Sequence, residues 1–472
     1  MPAPEPGRCA VKIDRLLFTA PQSAGGKTMV TCGILAALGG MGRKTVSFKC
    51  GPDYIDPMFH RKAVGTDAWN LDPFLTPGPA VRSLLVRHAK NADLAVTEGV
   101  MGYYDGLGGT TTKASAYELC KITGTPAVLI VDAKGVSTSV LAQIHGFLSW
   151  KKDSEIRGVL LNRISPMLYP RMKQLIEEQL DIPVVGYVPE VPDCVFKSRH
   201  LGLILPEEIT DIKDKLHRLA GIMRETIDWD TLFRIAEGAA SLEADDETDP
   251  PDYFENTDLS KVRIGIAEDE AFCFMYRENL ELLSDMGAKL VFFSPIHDRH
   301  LPKDLDGLIF YGGYPELYGM ELEENHAMRR ETASAVSSGL PCMAECGGFL
   351  YLHREMEDKD GVFRKMAGVI PGKAYKKDRL SRFGYISLHQ RSGTLFGTGP
   401  AKLTAHEFHY YDSDCCGQDF YAKKPVGSRG WECIFASDTL FAGFPHFYYY
   451  GIPELPKAFL IKCRQYKAKK RR

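Results

Sequence analysis

No stretch of this chain approaches the roughly 18 uninterrupted apolar residues that a membrane-spanning helix needs. Charge of one sign is missing too. Lys and Arg number 58 against 61 Asp and Glu, so the net charge is -3 and the basic face of a general nucleic-acid binder is not expected. The 12 cysteines include no CxxC pair of the kind that holds a structural metal. Neighbouring Cys415 and Cys416 cannot easily bridge each other, and most of the others lie in apolar segments. Reduced thiols in a cytoplasmic protein fit this pattern. Met1 to Cys9 carries Pro and Glu where a secretory leader has an apolar run, which points the same way. Only the tail, 465–472, is strongly basic, and it reads as a solvated terminus.

What is present is the composition of a soluble globular protein, 44% hydrophobic and 25% charged. At 472 residues the chain exceeds one ordinary core, so more than one domain is expected. Leu16 to Ala20, Thr45 to Lys49, Leu94 to Thr97, Ala127 to Val131 and Gly158 to Leu161 are short apolar runs separated by helical patterns. That alternation predicts an α/β domain with a mostly parallel sheet over residues 10–236. Residues 237–260 break the pattern with an acidic, proline-bearing segment of linker composition. A second α/β alternation follows over 261–464, with runs at Val262 to Ala267, Lys289 to Phe293 and Gly307 to Tyr311 and a helix over Phe272 to Met286.

Ala20-Pro-Gln-Ser-Ala-Gly-Gly-Lys-Thr follows the first run and opens a helix, the context of a phosphate-binding loop. Amides at a helix N-terminus point at phosphate, and Gly25 and Gly26 allow close approach. Lys27 supplies positive charge to the β- and γ-phosphates of ATP, and Thr28 a hydroxyl for Mg²⁺. Ser23 belongs to the same loop. Pro21 stands where the strict pattern has glycine. Carboxylates gather where strands give way to loops: Asp53 and Asp56 in Gly51-Pro-Asp-Tyr-Ile-Asp-Pro, then Glu98 and Asp105 in Glu98-Gly-Val-Met-Gly-Tyr-Tyr-Asp-Gly. Ligands of open α/β sheets sit at the carboxyl ends of strands, so these groups are expected to share a crevice with Lys27. Asp132 is a further carboxylate of this kind, equally well explained as a helix cap.

In the second half, Leu340-Pro-Cys-Met-Ala-Glu-Cys-Gly-Gly-Phe-Leu leads an apolar run into two glycines and a helical pattern. This predicts a sharp strand–nucleophile–helix turn at Cys346. A helix N-terminus lowers the thiol pKa, and the Gly347 amide can help hold an oxyanion. Tyr311-Gly-Gly-Tyr-Pro-Glu offers the Gly313 amide as a second donor. The thiol needs a base, and His406, His409 and His446 all qualify on spacing.

Taken together these segments resemble the cobyrinic acid a,c-diamide synthase family. The likeness is carried by the two loops above and by Asn70-Leu-Asp, Ser198-Arg-His-Leu-Gly-Leu, Gly312-Gly-Tyr-Pro-Glu, Ala344-Glu-Cys-Gly-Gly, His406-Glu-Phe-His-Tyr and the Gly-Phe-Pro-His run ending at His446. The resemblance implies a phosphate-loop domain like that of dethiobiotin synthetase, followed by a class I glutamine amidotransferase domain. It also implies His446 as the base for Cys346, and Thr28, Asp53 and Glu98 as magnesium-side residues. Tyr54, Asp56 and Asp105 fall near the substrate, and Asn162 near the adenine. Ala24 departs from the usual glycine. Tyr448 stands where many relatives have a second histidine, which implies a one-histidine site without an obvious third carboxylate.

The expected activity is ATP- and glutamine-dependent amidation of the a- and c-side-chain carboxylates of cobyrinic acid, with Mg²⁺ as cofactor. Nickel sirohydrochlorin or hydrogenobyrinic acid are the alternative substrates, and a regulatory phosphate-loop ATPase is the remote alternative. The partners are small molecules, with no nucleic acid and no membrane, and a homodimer is compatible with the pattern.

Overall fold

The computed structural model describes residues 8–194, 198–199, 202–203, 211–245, 259, 261–399 and 401–470. Residues 246–258 and 260 of the expected linker, 200–201 of the Ser198 motif and 471–472 of the basic tail lie outside the described residues. The chain divides into two compact units, Met1–Asp249 and Pro250–Arg472. Among the described residues no helix is long and apolar enough to cross a membrane.

The first unit contains β1 (Arg8–Val11), β2 (Arg15–Thr19), β3 (Thr45–Cys50), β4 (Ala68–Leu71), β5 (Leu94–Glu98), β6 (Ala127–Asp132), β7 (Ile156–Asn162) and β8 (Val184–Val188). Seven of these form one sheet in the order β4-β3-β5-β2-β6-β7-β8. Every pairing in it is parallel. β2, β4 and β5 are buried at every position, as expected of strands covered on both faces. β2 lies between β5 and β6, where the strand order reverses, so its carboxyl end opens into the ligand crevice of such sheets. β9 (Ser198–Arg199) pairs with β10 (Gly202–Leu203). β11 (Leu242–Asp245) lies inside the segment read as linker and pairs antiparallel with β1.

Arg15 ties this unit together from inside. Its guanidinium is buried and donates to Thr125 Oγ1 and to the carbonyls of Ile13, Thr123, Gly124 and Ala240. Two of these acceptors end the helix Ala116–Thr123, whose carbonyl end favours a cation.

The second unit has β12 (Arg263–Ala267), β13 (Lys289–Phe293), β14 (Gly307–Phe310) and β15 (Cys342–Glu345). β16 (His353–Glu357), β17 (Phe363–Lys365), β18 (Ile370–Lys376), β19 (Arg382–Gln390) and β20 (Lys402–His409) follow. The last are β21 (Tyr411–Ser413), β22 (Phe420–Lys423), β23 (Gly430–Cys433), β24 (Phe435–Ala436) and β25 (Leu440–Gly443). The main sheet runs β13-β12-β14-β15-β25-β24, with β24 antiparallel to its neighbour. Two smaller sheets, β17-β16-β18-β21 and β20-β19-β22-β23, complete the unit. The helix expected over Phe272 to Met286 begins only at Arg277. Asp269 accepts from the Ala271 and Phe272 amides and forms a tight turn. That turn directs Phe274 alongside Gly312, whose carbonyl accepts from the Phe274 amide at 3.0 Å.

Candidate active site

The phosphate loop runs from β2 into the helix Lys27–Gly40, with Gly26 in the left-handed region at φ 89°. A Cβ there would lie 2.4 Å from Asn162 Nδ2, so β7 closes on the loop and only glycine fits. Ala24, the departure noted above, also takes a left-handed φ of 59°. Ser23 is exposed. Lys27 folds back and donates to the carbonyls of Gln22 at 3.1 Å and Met101 at 2.5 Å. Burial, reinforced by the nearby Lys49 charge, lowers its pKa to about 8.

Behind Lys27 is a buried charge cluster. Thr28 Oγ1 donates to Glu98 Oε1 at 2.7 Å and lies 3.2 Å from Asp56 Oδ1. Lys49 bridges Asp56 at 2.5 Å and Glu98 at 3.1 Å. His60 Nε2 meets Glu98 Oε2 at 3.1 Å, and its Nδ1 meets Ser47 Oγ at 3.0 Å. Burial opposes the charge on Glu98, but Lys49, His60 and Thr28 outweigh it and hold the carboxylate well below its usual range. Asp56 moves the other way, pushed up by burial and by the negative charge of Asp53 and Glu98. One lysine thus serves two buried carboxylates. The hydroxyl and carboxylate oxygens of the cluster are donors of the kind Mg²⁺ prefers. Among the described residues no group of three His, Cys, Asp or Glu forms a ready metal cage. An ion shared with nucleotide phosphates does not need one.

The other residues expected here are placed as follows. Asp53 is half-buried and accepts from the Ile55 amide at 2.8 Å. Tyr54 is buried. Asp105 is exposed, and its Oδ2 accepts from the Gly102 amide at 2.9 Å. Asn162 is buried, with Nδ2 on the Gly25 carbonyl at 3.3 Å and Oδ1 without a hydrogen-bond partner among the described residues. Asp132 is held by Arg163 at 2.9 Å and by the Lys134 amide at 3.1 Å, which gives it a structural task. Sequence reading passed over Lys49 and His60. A lysine at the end of the buried strand Thr45–Cys50 was the available signal.

In the second unit three adjacent strands, β14, β15 and β25, bring their carboxyl ends together. Cys346 follows β15 at φ 46° and ψ −101°, a strained turn into the helix Gly347–Leu352. Its amide donates to Gly443, three residues before His446. Gly313 and Gly347 also meet, because a Cβ on Gly347 would lie 2.9 Å from the Gly313 nitrogen. His446 lies flat against Gly312, where an added Cβ would come 2.5 Å from its Cε1.

One expectation needs correction. The thiol pKa is raised, not lowered: burial dominates, and Glu316 and Glu407 add negative field. A helix of only six residues carries too weak a dipole to offset that. His446 has a histidine neighbour from another strand: His406 of β20 forms a backbone bridge to it, and the ring centroids are 5.0 Å apart. Tyr448 packs edge-on against Tyr276 at 5.0 Å. His409 stacks on Phe444 at 4.1 Å. Burial, with the neighbouring His406 and His409, holds His446 far below the usual histidine pKa. Thiol and imidazole are both neutral at rest. A nearby carboxyl is also present: Glu345 Oε2 lies 3.8 Å from His446 Nδ1.

Comparison with known proteins places both units. The CobQ/CobB/MinD/ParA nucleotide binding domain matches residues 16–201, and the CobB/CobQ-like glutamine amidotransferase domain matches residues 263–429. The chain is 36% identical over 458 residues to the cobyrinate a,c-diamide synthase of Caldanaerobacter subterraneus subsp. tengcongensis, covering 95% of this chain and 98% of the relative. It is 36% identical over 461 residues to that of Salmonella typhimurium, covering 97% and 99%. The MinD cell division protein of Aquifex aeolicus is similar at 15% identity and a TM-score of 0.30, covering 47% of this chain and 95% of that one. A nucleotide-binding unit and a glutamine amidotransferase unit in one chain define a glutamine-dependent amidotransferase ligase. This chain belongs to the cobyrinate a,c-diamide synthase family.

Proposed function

We propose that the protein converts the a- and c-side-chain carboxylates of cobyrinic acid to carboxamides, using ATP and glutamine. The observation that carries this reading is Cys346 on a strained turn, with His446 reached through the Gly443 backbone, in a chain that also bears the Lys27 loop.

The chemistry divides between two sites. A carboxylate is a poor acyl donor because oxide is a poor leaving group. Its oxygen attacks the γ-phosphorus of ATP, the bridge to the β-phosphate breaks, and ADP leaves an acyl phosphate. Lys27 and the loop amides stabilise the transferring phosphoryl group, a task of positioning and electrostatics. Asn162 Oδ1 is an acceptor suited to the adenine amino group. Tyr54, Asp56 and Asp105 orient the substrate acid. Thr28, Asp53 and Glu98 would hold Mg²⁺, which when bound neutralises charge on the β- and γ-phosphates.

At the thiol, His446 takes the Cys346 proton as sulfur attacks the glutamine amide carbon. The tetrahedral oxyanion is held by the Gly313 and Gly347 amides. The C–N bond breaks, His446 returns the proton to the departing ammonia, and water hydrolyses the thioester to glutamate and free thiol. Ammonia then displaces phosphate from the acyl phosphate.

Replacement Cys346→Ala tests the scheme. Glutamine-driven amidation of cobyrinic acid is expected to disappear, with the rate on added ammonium salt within about twofold of the parent. Equal loss with both nitrogen sources overturns the role of the thiol. Offering nickel sirohydrochlorin and hydrogenobyrinic acid beside cobyrinic acid, and reading mass for one-unit losses, tests the substrate.

A further inference from the structure

Glu345 is a costly residue to place in the strand beneath a nucleophile. Its side chain is 1% exposed. Oε1 has no hydrogen-bond partner among the described residues, and Oε2 reaches only the Phe447 amide at 3.4 Å. A buried carboxyl so poorly satisfied destabilises the fold unless it serves something else.

Holding the local backbone is not that service, because other groups already do it. Asn279 clamps the segment after His446 from both sides, donating to the Phe447 carbonyl at 2.8 Å and accepting from the Tyr449 amide at 2.8 Å. His446 and His406 exchange amide-to-carbonyl hydrogen bonds at 2.8 and 3.1 Å. These contacts fix the backbone on either side of His446 and do not themselves set the tautomer of its ring. The carboxyl oxygen of Glu345 lies 3.8 Å from the Nδ1 edge of that ring. Catalytic hydrogen bonds are often longer than ideal before substrate binds and tighten in the complex.

We propose that Glu345 is the positioning carboxyl of the Cys346–His446 pair, holding the Nδ1–H edge of the imidazole so that Nε2 is offered to the thiol. This rests on the thiol–imidazole reading above and supplies the third member that the sequence alone did not reveal. The strand register explains how the residue before the nucleophile can do this: Glu345 pairs with Gly443, so it lies beside the segment that carries His446. A base whose tautomer is wrong cannot accept the thiol proton, which is why the third residue of a hydrolytic triad matters although it never touches substrate.

Burial pushes the Glu345 carboxyl toward its neutral form, whose carbonyl oxygen still accepts from Nδ1–H, so its role is to set the orientation and tautomer of the ring and not to supply charge.

The test is Glu345→Leu in the full chain, with Glu345→Gln as the conservative variant, assayed for glutaminase activity and for ammonium-driven amidation. Glu345→Leu is expected to lower kcat about 10- to 100-fold with KM for glutamine within about twofold and an unchanged ammonium-driven rate, and Glu345→Gln, whose amide oxygen still accepts from Nδ1–H, to recover most of kcat. An unchanged kcat in Glu345→Leu, no recovery in Glu345→Gln, or parallel loss with ammonium overturns the proposal. Nitrogen-15 histidine NMR of the parent protein adds a readout that does not depend on the variant folding. The resting His446 ring should carry its proton on Nδ1, and a proton on Nε2 is contrary to the proposal. The underlying thiol–imidazole reading fails separately, if His446→Ala keeps glutaminase activity.

Discussion

Lys27 has to be charged to hold phosphate, yet its surroundings favour the neutral amine. Its pKa is lowered to about 8 by burial and by Lys49. Below that value the empty site holds the ammonium form, and above it the amine. Bound triphosphate restores the charge by raising the pKa, so ATP binding near pH 8.5 should draw a proton from solvent. Calorimetry in two buffers of different ionisation enthalpy measures this directly. Proton uptake is expected at pH 8.5 and little at pH 6.5, and heats independent of buffer at both would contradict it. The same contest between burial and local charge explains Cys346 and His446. Both shifts favour the neutral form, which spares the thiol indiscriminate oxidation.

At the scale of elements, the glutamine site depends on how closely two loops approach. Gly313 follows β14, and a Cβ there would fall 2.0 Å from the Ala271 carbonyl oxygen. The Asp269 turn places that carbonyl, so one half-buried carboxylate fixes the space available to the loop. Gly313→Ala must push the two backbones apart. Removing one oxyanion donor from its position typically costs 100- to 1,000-fold, so glutaminase kcat should fall by about 100-fold or more. Ammonium-driven amidation should stay near the parent value, and both rates are read by product formation. Full glutaminase activity in this variant would remove Gly313 from the oxyanion hole.

For the whole molecule, the prediction is separability. Lys27→Ala deletes a charge from the phosphate loop without touching the second unit's core. Amidation should drop at least about 100-fold with either nitrogen source, while a glutamine-mimicking diazoketone still labels Cys346. Loss of labelling together with amidation would show that the nucleotide loop governs the thiol. Equal retention of both would remove Lys27 from catalysis.

How much of this was legible from residue order varies with the kind of contact. The phosphate loop and the cysteine elbow are contiguous segments, so short-range spacing was enough to single out Lys27, Thr28, Cys346 and Gly347 as candidates. The buried parallel strands were legible because burial on both faces leaves an apolar run. Lys49 was missed because a charged residue ending such a run looks like an ordinary strand boundary until its two carboxylates are seen. Asp56 was expected beside the substrate, and its further contacts with Thr28 and Lys49 join segments whose spacing gave no sign of them.

The sequence by itself determined the two chemistries, because each is written in neighbouring residues whose backbone conformation follows from glycine, strand and helix propensity. Tertiary structure decided which distant segments meet around the Cys346 turn, which carboxyl lies near the His446 ring, and in which direction each pKa moves. Those depend on strand register between distant segments and on how much water the packed chain excludes, and neither quantity is a property of any local stretch.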